Sequence, residues 1–482
     1  MRNILITLVI IMAFGTTAAG NVMMAEETDT VITHDPAEYI TGTLPVMHIY
    51  TDSLKPIVSK EDYIMARYWL DGQGHDEWPT VGSPDEMLPM QIRGRGNFTW
   101  GLEKKPYRIK LDEKAKLLGM HKSKPFALMA LYDGAGMLVD YEMGFEFSRR
   151  LNMAFTPEHH PVELVLNGNY EGIYFLTETI RVDKNRVNIT EMDDYEQDPE
   201  LFTGGWLVEI DNIQESGTFY FKHGRVKWHS PERITGPQYW YIYNLFGEMD
   251  TRLFGSDKTD NSWEELVDVD TLARFYIINE IMDDREAFAG SCYMHKERGD
   301  STKLIFGPVW DFGRSLERRN ESECNFLYEN APSYINNDVI KEMLKYPHFQ
   351  RIIREVWTAE VENIKQGLDT KVQDWAELVK AACAANQKRW PNGHSYSIDY
   401  YKKKNTDYLY KRIAWLDDQW NLNKLCDING DGEVNIIDAN ILIGIILGSE
   451  PEGRIKYTDV NFDGSTDVVD VNIIIGTILG NN

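Results

Sequence analysis

The sequence predicts an α+β chain: a small β element leads into a large mixed body, and a small all-α tail of two loop–helix repeats ends it. Three observations carry this reading. Period-two alternation, as in LPVMHIYTD from Leu44 and KKPYRIKLD from Lys104, marks strands. Residues 270–282, DTLARFYIINEIM, instead place apolar side chains at 272, 275, 278, 281 and 282, the spacing of a helix with one buried face. The end of the chain repeats itself 32 positions apart, from Asp427 to Asp459 and again from Gly448 to Gly480.

The chain opens MRNILITLVIIMAFGTTAAG. One arginine, an apolar run from Ile4 to Phe14 and small residues near Ala19 are the parts of a secretory signal, so residues 1–25 are expected to be removed on export. The run is short for a membrane span, and no later stretch approaches the roughly 18 apolar residues that a span needs. A mature protein without a span is therefore expected, secreted, at the cell surface or in a periplasm. The 482 residues, 43% hydrophobic and 12% aromatic, suffice for two or three domains with a sizeable core. A net charge of −26 argues against a nucleic-acid or anionic-membrane partner, because counterion release needs a basic surface. Cys292, Cys324, Cys383 and Cys426 lie far apart and form no CxxC pair, so no disulfide connectivity follows.

Residues 35–89 read as the small β element, strand-like around Val46, His48 and Tyr50 and then rich in Gly, Asp and Pro turns. The body spans 90–420. RGRGN at 93–97 permits a tight turn that carries Arg93 and Arg95, and the strand after Lys105 alternates, Tyr107, Ile109 and Leu111 on one face, Arg108, Lys110 and Asp112 on the other. Such a turn beside a lysine-bearing strand can hold a polyphosphate or form a solvated cationic edge. VELVLNGNYEGIYFLTE gives a hairpin about Asn167-Gly168-Asn169, and Glu178 at its end can orient Lys110. After the helix at 270–282 come an acidic loop, Asp283 to Glu286, a strand SCYMHKE, a polar turn RGDST and a strand KLIFGPVW that ends at Asp311. A hairpin brings its entry and exit to one end, so the acidic loop and Asp311 are expected to meet.

In the tail, 424–482, DINGDGEVNIID and DVNFDGSTDVVD fit one calcium-loop template. Oxygen ligands fall on Asp427, Asn429, Asp431, Asn435 and Asp438, then on Asp459, Asn461, Asp463, Asp467 and Asp470; Glu433 and Ser465 offer backbone carbonyls, and Gly432 and Gly464 make the sharp turn. Oxygen donors without His or Cys select calcium over zinc. Each loop leads into one apolar helix, so two Ca²⁺-loaded units must pack together.

This tail resembles a type I dockerin, which implies a cohesin or similar surface scaffold as partner, met through Ile436, Ile437, Val468 and Val469 and the helices that follow. RGRGNFTW, KKPYRIKLD, LLGM, LVLNGNYEGIYFLTE, GGWLVEID and GPVWDFG together resemble the CotH kinase family of atypical secreted or spore-coat protein kinases. The resemblance implies a kinase-like two-lobed domain that takes ATP with Mg²⁺ or Mn²⁺. It puts phosphate contacts on Arg93, Arg95, Lys105 and Lys110, a metal aspartate on Asp311, and the catalytic base on Glu286, where the family carries Asp, with Asp284 where Asn is usual. Gly313 and Ser291 also depart from the pattern. Three functions stay open: phosphoryl transfer to Ser or Thr of a surface protein, a catalytically inactive binding or structural module of a dockerin-bearing assembly, and a part in polysaccharide degradation.

Overall fold

The protein is described by a computed structural model covering residues 34–482 except 133–134, 212, 215, 317–323, 329–334, 393–396, 450–457, 462 and 481–482. The expected signal at 1–25 lies outside the described residues.

Seven strands close into a barrel: β1 (Val46–Thr51), β2 (Ile64–Asp71), β3 (Leu88–Gly94), β4 (Tyr107–Ala115), β5 (Ser123–Met129), β6 (His159–Leu166) and β7 (Asn169–Glu178). Their order is β1-β2-β3-β4-β5-β7-β6, and β1 closes the ring by pairing in parallel with β6. Alternate apolar residues, among them Ile49, Leu70, Met90, Ile92, Ile109 and Phe126, are fully buried. The segment 35–89, read from the sequence as a small β element leading into the body, supplies β1 and β2 of this barrel. Left alone, β1 and β2 would expose a row of unpaired backbone groups, and closure onto β6 satisfies them. The β6–β7 turn is Asn167-Gly168, both residues at positive φ (52° and 81°), the conformation whose twist suits a two-residue hairpin. The Asn167 carboxamide also accepts the Thr51 N–H at 2.8 Å and so ties this turn to the closing strand.

Helix α1 (Ala135–Arg150) runs between β5 and β6. A second sheet follows, β8 (Trp206–Ile210), β9 (Thr218–Phe221), β10 (Gly224–Ser230), β11 (Cys292–Lys296) and β12 (Ile305–Phe306), ordered β12-β11-β8-β10-β9. Inserted before β11 are α2 (Gly236–Leu253) and α3 (Val269–Met282); after β12 come α4 (Asp338–Met343), α5 (Pro347–Lys365), α6 (Leu368–Arg389), α7 (Ile398–Trp420) and the short α8 (Leu422–Leu425). One hydrophobic core runs through the barrel, the second sheet and these helices. A buried ion pair joins Arg412 of α7 to Glu280 of α3 at 2.7 Å, both side chains without exposed surface.

The tail has its own small core of Cys426, Ile428, Ala439, Leu442, Val460, Val471 and Ile474, built by α9 (Ile436–Ile446) and α10 (Val468–Ile478). All four cysteines are unpaired, Cys292 and Cys426 buried. Among the described residues no helix is long and apolar enough to cross a membrane.

Candidate active site

A cavity of about 800 Å³ is lined on one side by the β3–β4 region of the barrel and on the other by the segments that follow α3 and β12. Its acidic wall starts where α3 stops. Asp283 takes a left-handed conformation (φ 54°) and closes the helix, and Asp284 then donates its N–H to Asn279 O. The Asp284 carboxylate is buried; it accepts the Glu286 N–H at 3.1 Å and lies 3.4 Å from the Ser315 hydroxyl. The strand expected to run to Asp311 ends at Phe306; the irregular segment after it carries Asp311, whose carboxylate accepts the Tyr141 hydroxyl at 2.6 Å and the Gly313 N–H at 3.2 Å.

Phe312 is fully buried against α1, where Gly144 makes room for it: a Cβ there would lie 2.4 Å from the Phe312 ring. The sequence WDFG therefore anchors through its phenylalanine and presents its aspartate. Burial first, and the nearby negative Asp311 second, push the Asp284 carboxyl well above the usual carboxylate range. Two carboxylates that penalise each other's charge at one cavity are a donor set suited to a divalent cation. Asp283, Ser291, Asp311 and Leu316 all have positive φ, and strain gathered around one locus marks functional sites.

The opposite wall is basic. Arg93 of β3 and Arg108 of β4 are directly paired in the ladder, and Arg95 follows β3. Arg93 lies 5.0 Å from the Tyr63 ring and Arg95 5.6 Å from the Trp310 ring. Among the described residues none of the three has a carboxylate partner, and the Nε atoms of Arg93 and Arg108 are buried without a hydrogen bond. Burial, and then the charges of Arg93 and Arg95 against the opposing Tyr63, lower the pKa of the Arg108 guanidinium. Half-buried cations without a carboxylate partner are costly, and these three line a cavity large enough for a ligand.

The candidate residues separate into groups. Arg93, Arg95, Asp284, Glu286 and Asp311 line this cavity together. Glu286 also pairs with Arg314 at 2.5 Å. Lys105 does not line it; its ammonium donates to Trp100 O and Leu102 O, at 2.9 and 2.8 Å, and stiffens the turn after the RGRGN loop. Lys110 is exposed on β4 and is not among the lining residues, whereas Arg108 on the same strand face is. Glu178 is fully buried and faces Arg186 (3.5 Å) and His121 (3.8 Å) rather than Lys110.

Sequence reasoning also passed over Tyr141, Glu209, His229 and Tyr293, all of which line the cavity. Glu209 of β8 and His229 of β10 are 2.6 Å apart. Glu209 lies in the GGWLVEID stretch and was within reach of the sequence; Tyr141 belongs to no motif. A second chamber of about 560 Å³ shares Arg95, Arg108, His229, Tyr293 and Trp310 and continues to Thr179–Val182, just beyond β7.

The tail builds two sites of another kind. Asp438 and Asp470, each wholly buried, fold back on their own loops: Asp438 accepts the N–H groups of Ile428, Asn429 and Asn435, and Asp470 those of Val460, Asn461 and Asp467. Asp427 and Asp459 accept the N–H of Gly432 and of Gly464, each at 2.8 Å, and those glycines have φ of 91° and 90°. Asn429 with Asp431, and Asn461 with Asp463, repeat one 2.8 Å contact. Asn435 and Asp467 cap α9 and α10; Glu433 and Ser465 bond through their N–H to Asp431 and Asp463. Two loops of oxygen donors that repeat these bonds fit calcium.

Comparison with known proteins gives two matches. Residues 92–418 match the family described as CotH kinase protein, and residues 425–479 match the family described as Dockerin type I domain. No curated protein matches the chain.

Proposed function

The chain belongs to the CotH kinase protein family, and from that premise we propose that it is an exported two-lobed kinase, moving the γ-phosphoryl group of ATP to a Ser or Thr hydroxyl of a surface protein. In this reading the barrel with α1 forms one lobe, and the second sheet with its helices forms the other. The observation that carries the reading is the facing of uncompensated opposite charges across one cavity, Arg93, Arg95 and Arg108 against Asp284 and Asp311.

Asp284 and Asp311 would hold Mg²⁺ or Mn²⁺, which when bound neutralises phosphate charge. The three arginines bind and orient the polyphosphate, a role that positioning and electrostatics alone can fill in phosphoryl transfer. Tyr141 fixes the Asp311 carboxylate. Glu286, held in the cavity by Arg314, accepts the hydroxyl proton, while Asp284 is too enclosed for that task. The second chamber, with Ala127, Leu207 and the backbone of 179–182, suits the nucleobase.

The dockerin match supports attachment to a cohesin-bearing scaffold outside the cell or at its surface. Type I dockerin domains bind calcium, and the loop residues Asp427 to Asp438 and Asp459 to Asp470 are the proposed ligands. Ile436, Ile437, Val468 and Val469 are 60, 52, 64 and 45% exposed, an apolar face that a free tail would not keep in water without a partner.

Incubation of the protein with γ-labelled ATP, Mg²⁺ or Mn²⁺ and surface-protein extract tests the reading. Label transfer that Asp311→Ala abolishes is the expected result. No transfer, together with no nucleotide-induced rise in melting temperature, would reject it.

A further inference from the structure

Outside the cleft, three side chains of metal-ligand chemistry converge at the end of β7. His121 comes from the β4–β5 turn, Glu158 immediately precedes β6, and Glu178 is the last residue of β7. One ligand atom from each lies within 4.8 Å of the other two, and His121 Nδ1 is 3.8 Å from Glu178 Oε1. Ligand atoms held at about 2.0–2.2 Å around a tetrahedral zinc stand about 3.4 Å apart. Small rotations of His121 and Glu158, both exposed, close the set.

Glu178 supplies the independent sign of a missing ligand. Its side chain has no exposed surface, and its Oε2 accepts the Glu158 N–H at 3.2 Å. Its Oε1 is buried with no hydrogen bond at all. Arg186 Nε approaches that oxygen only to 3.5 Å, too long for a good hydrogen bond. Two carboxylates, Glu158 and Glu178, meet a single guanidinium, Arg186, in the cluster. A nitrogen donor beside two carboxylates favours zinc over the hard calcium ion of the tail.

We propose that His121, Glu158 and Glu178 form a zinc site that clamps the β4–β5 turn to the strand end leading into residues 179–182 of the cleft wall. A clamp there fixes the segment joining the barrel to the second sheet, whatever chemistry the cleft performs.

The test uses the full chain, saturated with calcium and stripped of transition metals, titrated with Co²⁺ and then Zn²⁺. The expected result is a visible d–d absorption of a tetrahedral nitrogen/oxygen cobalt site that zinc displaces, with a rise in melting temperature. His121→Ala and Glu158→Gln, both at the surface, should each remove the band and weaken zinc binding at least about tenfold while leaving the circular dichroism spectrum intact. Absence of the band in the unmodified chain, or zinc affinity equal in all three proteins, overturns the proposal.

Discussion

Arg93 and Arg108 stand opposite each other in the β3–β4 ladder, each with a buried Nε that no hydrogen bond satisfies. Like charges in register cost a sheet roughly 0.2–1 kcal/mol relative to neutral pairs, so the fold alone gains nothing from this arrangement. Arg108→Met keeps the aliphatic stem and removes one charge. The melting temperature should hold or rise, while affinity for Mg²⁺·ATP in calorimetry should fall at least about tenfold, the size of one lost charge-assisted contact. Unchanged affinity would remove Arg108 from the binding wall.

Tyr141 reaches Asp311 from α1 with a 2.6 Å hydrogen bond. Removing the hydroxyl in Tyr141→Phe frees a carboxylate that must be fixed to serve. A hydrogen bond to a charged group contributes about 1.5–3 kcal/mol, which corresponds to a loss of about ten- to a hundredfold in kcat/KM for label transfer. A Tyr141→Phe rate within twofold of the unmodified protein would mean that Gly313 alone positions Asp311.

What the sequence disclosed depended on how local each constraint is. The repeat of the two tail loops and their sharp glycine turns were legible, because every bonded partner sits within twelve residues. The approach of Asp284 and Glu286 to Asp311 was legible through the β11–β12 hairpin. The β4 alternation correctly grouped Arg108 with Lys110, but distance along the strand decides which of them reaches the cavity, and that depends on β3. Closure of β1 onto β6 joins residues over a hundred positions apart, with a sheet, a turn and a helix between, and leaves no local pattern. Tyr141 was invisible for the same reason: only the burial of Phe312 against Gly144 brings α1 to Asp311.

Glu280 and Arg412 hold the end of α3 just before Asp283 and Asp284. Arg412 donates to Glu280 Oε1 at 2.7 Å and to Glu280 O at 3.0 Å, and Glu280 also accepts the Leu327 N–H. Arg412→Ala leaves a buried carboxylate without its cation, a loss of about 3–5 kcal/mol. Denaturant unfolding should show it, and the Glu280→Gln, Arg412→Met pair should recover most of the loss. A single mutant as stable as the parent would show that water enters this pair freely.

Acid stability should report Glu142. Burial alone would raise its carboxyl, but the hydrogen bond and charge of His159, with Lys371 and Arg149, outweigh burial and hold it at about 2. The unfolded chain has an ordinary glutamate near 4.5. A depressed carboxylate contributes stability above the unfolded value, and that contribution is lost as pH falls through the folded one. Between about pH 4.5 and pH 2 the protein should therefore lose stability on the order of 3 kcal/mol through this group. Glu142→Gln should start lower and lose less over the same window; parallel pH profiles would assign the acid limb to other groups.

Calcium removal should unfold the tail and leave the rest of the chain standing. Among the described residues the tail's core comprises seven buried side chains, Cys426, Ile428, Ala439, Leu442, Val460, Val471 and Ile474, and cores of that size rarely offset the chain entropy of a unit under about 70 residues. Asp427, Asp431 and Asp438, and likewise Asp459, Asp463, Asp467 and Asp470, crowd together around each loop, so the metal-free loops repel themselves and ion binding is coupled to folding. The main body keeps a hydrophobic core of its own and meets the loops at Arg354, whose charge Asp459 favours, so it should stay folded when the tail melts. Scanning calorimetry of the calcium-loaded protein should show a transition that chelator abolishes, beside a larger one that chelator leaves in place. Limited trypsin digestion in chelator should trim the chain from Lys424 onward and preserve the body. Asp438→Ala should weaken calcium binding at the first loop and, because the two helices share one core, lower the melting of the second. A tail that resists trypsin equally with and without calcium would show that packing alone holds it.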